Sequence, residues 1–193
     1  MKRPVIASLI VILAIATAST ASTYAVDPVH SDVSFEIRHL ISKVPGGFSI
    51  YDGAITTDFD DLERSSVTFT IDAASIDTGN EDRDTHLRSE DFFHVDEHPT
   101  ITFRSTKIER TGETTYDVTG TLTMRGVART VTLPVSYLGE MTDPWGNTKA
   151  GFAIETTLDR TDYGIEWNKA IEAGGLMLGN EVEITINLQA TKK

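Results

Sequence analysis

Apolar and polar residues alternate along most of this chain, and this period of two is the feature that most restricts its fold. In residues 33–38, Val33, Phe35 and Ile37 stand at every second position. Comparable apolar positions recur, less regularly in the first case, at Phe48, Ile50 and Ile55; Val67, Phe69 and Ile71; Ile101 and Phe103; Tyr116, Val118, Leu122 and Met124; Val131, Leu133, Val135 and Tyr137; Phe152, Ile154 and Leu158; and Val182, Ile184, Ile186 and Leu188. Successive side chains of a strand point to opposite faces, so the pattern predicts about eight strands, each with one apolar face.

Short turn sequences separate these segments, among them Pro45-Gly46-Gly47, Arg125-Gly126 and Asp143-Pro144-Trp145-Gly146-Asn147. Short connections join antiparallel neighbours, so the sheet is predicted to be antiparallel. Eight such strands with one dry face form either a closed barrel or a sandwich, and the alternation does not choose between them. Pro134 has no backbone N–H and predicts an edge or a bulge at its position.

Two segments depart from the alternation. Asn80 is followed by acidic residues and is predicted to be the N-cap of a short helix that continues through Leu87 and Arg88. The segment from Tyr163 to Leu178 is predicted to be a second short helix or a long loop.

The first 25 residues have the organisation of a secretory signal. Lys2 and Arg3 precede an apolar run over residues 5–16, which small residues follow, with cleavage predicted after Ala21 or Ala25. The apolar run is too short for an ordinary membrane span, so an uncleaved anchor is the weaker alternative. We therefore predict a signal over residues 1–25, one domain over residues 26–193, and a periplasmic or secreted protein with no stable membrane span.

Composition excludes several other classes of protein. The chain has no cysteine, which rules out disulfides and a cysteine-linked lipid anchor, so its stability depends on a hydrophobic core. Its net charge of −12 disfavours binding to nucleic acid or to anionic lipid headgroups. We expect no nucleic-acid partner, and a homodimer is compatible with the sequence.

Residues 75–99 hold three of the five histidines and many carboxylates, which raises the question of a metal or catalytic site. His94 and His98 are four residues apart, but Pro99 disfavours a helical conformation at His98, so we predict no metal site. The chain also lacks a nucleophilic cysteine and a Gly-x-Ser-x-Gly motif. An acid–base pair of Asp84 and His86 is the catalytic alternative, and a polar cap on a barrel is the structural one. We predict no catalytic residue.

Several ordered blocks resemble one known family. "DPVHSDVSFEIRHL" (27–40), "SIDTGNEDRDTHLRSEDFF" (75–93), "GTLTMRGVARTVTLPV" (120–135), "RTDYGIEWN" (160–168) and "LGNEVEITINLQA" (178–190) are similar to the YceI family of exported polyisoprenoid-binding proteins. The resemblance spans nearly all of residues 26–193. It implies an all-β fold, an eight-stranded antiparallel lipocalin-like barrel with one or two short helices, which holds a lipid in an apolar lumen.

Site residues follow from the inward positions and from this resemblance. The predicted lumen residues are Phe35, Ile37, Phe69, Leu87, Phe92, Phe93, Phe103, Leu122, Phe152, Tyr163 and Trp167. Residues predicted to contact a ligand headgroup at the mouth are His39, Arg83, Asp84 and His86, because His can hydrogen-bond a quinone or an amide and Arg can pair with a phosphate. Gly120 has inward parity, and we interpret it either as space in the lumen or as a strand bend.

The leading functional hypothesis is an exported protein that binds, carries or stores an isoprenoid or similar long-chain amphiphile. Its partner is then that lipid, with a quinone as one ligand of the class, and no cofactor is expected. Two alternatives come from other classes: a hydrolase or isomerase that uses the polar rim residues, and an envelope interaction protein whose barrel is filled by its own side chains.

Overall fold

Eleven antiparallel strands form a continuous sheet in the computed structural model, which describes residues 21–58, 62–171 and 174–193. The strands are β1 (Ser22–Val26), β2 (Asp32–His39), β3 (Ser42–Phe48), β4 (Tyr51–Thr57), β5 (Ser66–Asp72), β6 (Ile76–Asp77), β7 (Thr100–Arg110), β8 (Thr115–Met124), β9 (Val127–Thr142), β10 (Thr148–Asp159) and β11 (Leu178–Lys192). One α-helix, α1 (Glu81–Arg88), lies between β6 and β7. Short 3-10 turns cover Pro28–His30, Leu62–Arg64, Ala73–Ser75 and Arg160–Tyr163.

The sheet closes into a barrel. Neighbouring strands follow the order β1-β4-β5-β7-β8-β9-β10-β11, and β11 pairs with β1 to complete a ring of eight. Strands β2, β3 and β6 continue the sheet from β11, which pairs with β1 at residues 190–192 and with β2 at residues 178–187. The predicted eight-stranded antiparallel barrel is therefore confirmed, and the sandwich is excluded.

Two short strands, β1 and β6, lie outside the eight predicted segments, and the segment with Phe48, Ile50 and Ile55 is divided into β3 and β4, which raises the number from eight to eleven. The 3-10 turn at Pro28–His30 separates β1 from β2, and the turn at Ala73–Ser75 separates β5 from β6. A third break, between β3 and β4, contains Ile50, which is 59% exposed and therefore does not belong to the predicted strand segment. The break releases Ile50 from the strand geometry that turns alternate residues inward.

Strand β9 changes from an inner to an edge strand at Pro134. The ladder between β9 and β10 runs from Thr142 to Val135, which pairs with Ile154, whereas β8 pairs with β9 as far as Val127. Pro134 thus lies one residue beyond the last β10 partner, where its missing N–H costs no hydrogen bond on that side. The predicted edge position is confirmed.

Helix α1 begins where the sequence predicted. The Asn80 side chain accepts a hydrogen bond from the backbone N–H of Arg83 at 2.9 Å, and the helix ends at Arg88. The second irregular segment is mainly a loop: after the 3-10 turn at Arg160–Tyr163, its described part has only an isolated bridge between Ala170 and Leu176.

The barrel begins earlier in the chain than the sequence analysis placed it. Tyr24 is 2% exposed and pairs with Ile55 on one side and Lys192 on the other. The boundary predicted between Ala25 and Val26 therefore falls inside β1, whereas the alternative cleavage after Ala21 would leave β1 whole. Residues 1–20 of the signal predicted over residues 1–25 lie outside the described residues. Within the described ranges, no helix has the length and apolar character to cross a membrane.

Candidate ligand-binding lumen

The interior of the barrel is hollow. It contains a wide chamber of about 520 Å³ and a narrow chamber of about 160 Å³. Both are lined by the same four residues at their junction: Ile71, Ile101, Leu122 and Ile186. These shared walls make the chambers neighbours along the interior, which we call the lumen.

The narrow chamber lies within the closed ring of strands. Its walls come from β4, β5 and β7 to β11, and the rings of Tyr137 and Phe152 pack there at 5.6 Å between centroids. Burial raises the pKa of the Tyr137 phenol above its ordinary value, which keeps this hydroxyl neutral. Among the described residues, no carboxylate or basic side chain lines this chamber. It is suited to an apolar group.

The wide chamber has an aromatic cover made by chain segments outside the closed ring. Phe93 packs edge-on against Phe48 at 5.7 Å between centroids. Phe92 lies 5.3 Å from Trp167, and the His86 ring lies 4.9 Å from the same indole. The segment after α1 and the loop after β10 therefore meet over this end of the lumen.

All eleven residues predicted to face the lumen line one of the two chambers. Phe69, Phe103 and Phe152 line the narrow chamber, and Leu122 lines both. The others line the wide chamber: Phe35, Ile37, Leu87, Phe92, Phe93, Tyr163 and Trp167. Their contacts with a ligand remain predictions.

Three of the four residues predicted at the headgroup, His39, Arg83 and His86, line the wide chamber. Arg83 is held by Thr78, whose hydroxyl and carbonyl oxygens accept from Nε at 2.6 Å and Nη2 at 2.7 Å. His86 Nε2 lies 2.9 Å from a carboxylate oxygen of Asp91. The polar rim is therefore ordered by local hydrogen bonds.

Asp84 is placed differently from the prediction. Its side chain is 3% exposed and does not line either chamber. One carboxylate oxygen accepts from the backbone N–H of Thr78 at 3.0 Å and from its hydroxyl at 2.5 Å. Asp84 thus fastens α1 to the end of β6, because a buried carboxylate needs hydrogen-bond donors. We remove it from the headgroup residues.

Arg160 is a residue of the wide chamber that the sequence analysis missed. It is 5% exposed, and its guanidinium donates to the carbonyl oxygens of Gly179, Ile165 and Trp167 at 2.7–2.9 Å. Burial lowers the pKa of the guanidinium. Its Nη2 has no hydrogen-bond partner among the described residues. Arg160 is the first residue of the block "RTDYGIEWN". Its position directly before a loop with aromatic residues is the sequence feature that could have identified it as a residue of the chamber.

Gly120 does not leave space in the lumen. A Cβ at this position would lie 2.5 Å from the Phe103 ring and 2.5 Å from the carbonyl oxygen of Arg104. The ring fills the volume that a side chain at position 120 would take. The register of β7 against β8 also shifts between Ser105 and Lys107, opposite Gly120. The interpretation as empty space is therefore wrong, and Gly120 is explained by the close approach of the Phe103 ring and the β7 backbone.

His94 and His98 converge, contrary to the argument from Pro99. The backbone N–H of His98 donates to the carbonyl oxygen of His94 at 2.9 Å, and the ring centroids are 5.8 Å apart. Pro99 disfavours a helical conformation at His98, but this single turn needs only the backbone N–H of His98 as a donor. The preference therefore does not prevent the turn. These rings do not line the lumen.

Comparison with known proteins identifies the family. Residues 24–190 match the YceI-like domain. This chain belongs to the YceI-like family. A relative, the UPF0312 protein of Ectopseudomonas mendocina, is 43% identical to this YceI-like chain over 148 residues, which cover 75% of the chain and 78% of the relative.

Solved structures share the barrel. BcnA from Burkholderia cenocepacia superposes with a TM-score of 0.75 and 26% identity, covering 85% of this YceI-like chain and 98% of BcnA. A polyisoprenoid binding domain from Saccharophagus degradans superposes with a TM-score of 0.66 and 18% identity, covering 88% and 98% of the two chains. The predicted family and the lipocalin-like barrel are both confirmed.

Proposed function

We propose that this YceI-like protein binds one isoprenoid or similar long-chain amphiphile, with the tail in the narrow chamber and the headgroup in the wide one. The observation that carries this proposal is the pair of adjacent chambers with predominantly apolar walls. Large enclosed apolar cavities are rare in proteins because well-packed interiors leave few voids larger than a water molecule. A cavity of this size is therefore best explained by an occupant.

The size of the lumen favours a long ligand. An engineered apolar cavity of about 150 Å³ stays dry and holds a benzene molecule. The narrow chamber is of that size, and the wide chamber is about three times larger. A ligand that removes about 400 Å² of apolar surface from water gains about 10 kcal/mol before the entropic costs of binding. Binding of this strength needs no catalytic group.

The distribution of polar groups favours one orientation. Arg83, His86 and Arg160 line the wide chamber together with one carboxylate, that of Asp82, whereas described residues of the narrow chamber contribute no charged side chain. Arg160 Nη2 is a donor without a protein partner among the described residues. Arginine and histidine donate to carbonyl and phosphate oxygens. A headgroup with acceptor atoms, such as a quinone or a phosphate, therefore fits the wide end.

The protein's role is that of a carrier or reservoir in the periplasm or outside the cell. The N-terminal segment, with its basic start and apolar run, supports export. The fold has a precedent for such ligands, because a barrel of the same fold in Saccharophagus degradans is a polyisoprenoid binding domain.

The two alternative functions receive less support from the geometry. The acid–base pair of Asp84 and His86 is not formed, because Asp84 bonds to Thr78 and His86 to Asp91. An interaction protein with a filled barrel would lack chambers of this size. We therefore propose a binding protein without catalytic activity.

Native mass spectrometry of the protein purified without detergent tests this function. We expect a lipid adduct of one molecule per chain, and chromatography of the extracted lipid would identify it. The released protein should bind added isoprenoid alcohols again. A protein that arrives empty and does not bind such alcohols would contradict the proposal.

A further inference from the structure

We propose that the turn from His94 to His98 binds a divalent transition-metal ion, such as Zn²⁺, through His94, Glu97 and His98. This site lies outside the lumen, since none of the three residues lines either chamber. The proposal is independent of the lipid function and replaces the expectation, drawn from spacing, that the chain has no metal site.

The geometry brings three ligand atoms together. The N–H groups of Glu97 and His98 both donate to the carbonyl oxygen of His94, at 3.1 and 2.9 Å. His94 Nδ1 lies 3.8 Å from a carboxylate oxygen of Glu97. One ligand atom from each of the three residues lies within 4.8 Å of the other two. Tetrahedral zinc with bonds near 2.1 Å separates its ligand atoms by about 3.4 Å, so small side-chain rotations complete the set.

The turn is held in place before any ion binds. The N–H of His94 donates to Ser89 at 2.9 Å, and that of Val95 donates to Arg88 at 3.1 Å, so the turn is tied to the end of α1. His94 has a positive φ of 50°, a conformation uncommon for residues other than glycine. The following residues, Pro99 and Thr100, lead directly into β7. Both ends of the turn are therefore joined to regular structure.

A neighbouring glycine makes room for one of the imidazoles. Gly126, in the turn between β8 and β9, has a positive φ of 73°. A Cβ at this position would lie 2.8 Å from Cε1 of His98. The His98 ring therefore packs where any other residue would place a side chain. This contact limits the motion of the ring and lowers the entropy that metal binding would remove.

The donor set selects the class of ion. Two imidazole nitrogens and one carboxylate suit zinc, copper and nickel, whereas calcium and magnesium prefer oxygen ligands. The two histidines are partly buried and Glu97 is exposed, so an ion can enter from solvent. Three protein ligands leave the fourth position of a tetrahedral ion to water.

Metal binding would stiffen one wall of the lumen from outside. Phe92 and Phe93, which cover the wide chamber, directly precede His94. An ion at the turn would restrict the segment between α1 and β7 that carries these rings. Zinc should therefore raise the melting temperature, because a ligand that binds only the folded state stabilises it.

Titration calorimetry with zinc chloride, on the tag-free protein freed of metal by a chelator, tests the site. We expect one ion per chain, and His94→Ala and His98→Ala should each weaken binding by at least about tenfold. His30→Ala is the matched control, because His30 bonds to Asp27 elsewhere on the surface, and it should leave zinc affinity unchanged. Cobalt substitution should give the intense visible absorption of a tetrahedral ion.

The proposal is wrong if the wild-type protein binds no zinc, or if the His94→Ala and His98→Ala variants bind it as tightly as the wild type. Circular dichroism in chelator shows whether each variant folds without metal. If an alanine variant does not fold, His94→Gln and Glu97→Gln are tested in its place, because they keep a polar side chain of similar size. In these variants, loss of zinc binding with an unchanged chelator melting temperature supports the site, and retained binding contradicts it.

Discussion

Leu122 is the position at which a single substitution should divide the lumen. Its side chain lines both chambers, on β8 between Phe103 of β7 and Arg129 of β9. Leu122→Trp replaces the leucine side chain at the boundary of the chambers with a larger indole ring. We expect the tail of a bound lipid to be excluded from the narrow chamber, while the wide chamber still accepts the headgroup.

The size of the effect follows from the narrow chamber. Its volume of about 160 Å³ matches the engineered cavity that holds benzene, so it accommodates about six carbon atoms. At about 0.8 kcal/mol for each buried methylene, their exclusion costs at most about 5 kcal/mol of binding free energy. A flexible tail can fold back into the wide chamber, which recovers part of this loss. We therefore expect Kd to rise by about ten- to a thousandfold.

Displacement of a fluorescent fatty probe by isoprenoid alcohols of increasing length measures the effect. Wild-type affinity should rise with each added isoprene unit until both chambers are full. In Leu122→Trp the gain should stop once the wide chamber is full. Thr121→Trp is the matched control, because residue 121 is exposed on the outer face of the same strand. The affinity of Thr121→Trp should rise with the length of the isoprenoid alcohol as it does in the wild type.

Thermal unfolding separates a blocked lumen from a damaged fold. A hollow site accepts the new ring, so Leu122→Trp should melt close to the wild-type temperature, whereas overfilling a packed core costs about 1–3 kcal/mol. Two results would refute the reasoning. One is a variant with the wild-type dependence on ligand length, and the other is a variant that melts early while its lipid affinity is unchanged.

Three further perturbations test the start of the mature chain, the packing at Gly120 and the charge of Asp27. N-terminal sequencing of the exported protein should find Ser22 first, because cleavage after Ala25 would remove most of β1; a chain that starts at Val26 contradicts this. Gly120→Ala should lower the free energy of unfolding in urea by about 1–3 kcal/mol, because the added Cβ meets a backbone oxygen at 2.5 Å; unchanged stability would refute the contact. Burial opposes ionisation of Asp27, but hydrogen bonds from Lys149 and His30 outweigh it and lower its pKa to about 2. The carboxylate therefore stabilises the fold above its unfolded pKa of about 4, and this is lost as the pH falls toward 2. Asp27→Asn should lower the free energy of unfolding in urea by at most about 2 kcal/mol at neutral pH. Between about pH 4 and 2, the free energy of unfolding of this variant should fall less steeply than that of the wild type; an unchanged pH dependence would exclude this role of Asp27.

The sequence by itself determined which phenylalanines of the regular strands face inward. Phe35, Phe69, Phe103 and Phe152 all line the lumen, as their parity predicted. Parity is a property of the strand backbone, which turns successive side chains to opposite faces whatever the partner strand is. The start of α1 was equally predictable, because the Asn80 cap acts within three residues of itself.

Features that depend on contacts between distant residues were decided only by the tertiary structure. The pairing of β1 with β11, which closes the barrel, joins residues more than 160 positions apart, and local alternation carries no information about it. The same holds for Gly120, where the decisive neighbour is a ring on β7.

Polar residues were the least predictable part of the site. Asp84 and Arg83 are adjacent in sequence, yet only Arg83 lines the wide chamber, because Asp84 is turned to Thr78. His94 and His98 meet through one backbone hydrogen bond that the spacing argument did not anticipate. An inward apolar residue is placed by the period of its strand, whereas a polar side chain is placed by whichever donors and acceptors the folded chain brings within reach of it.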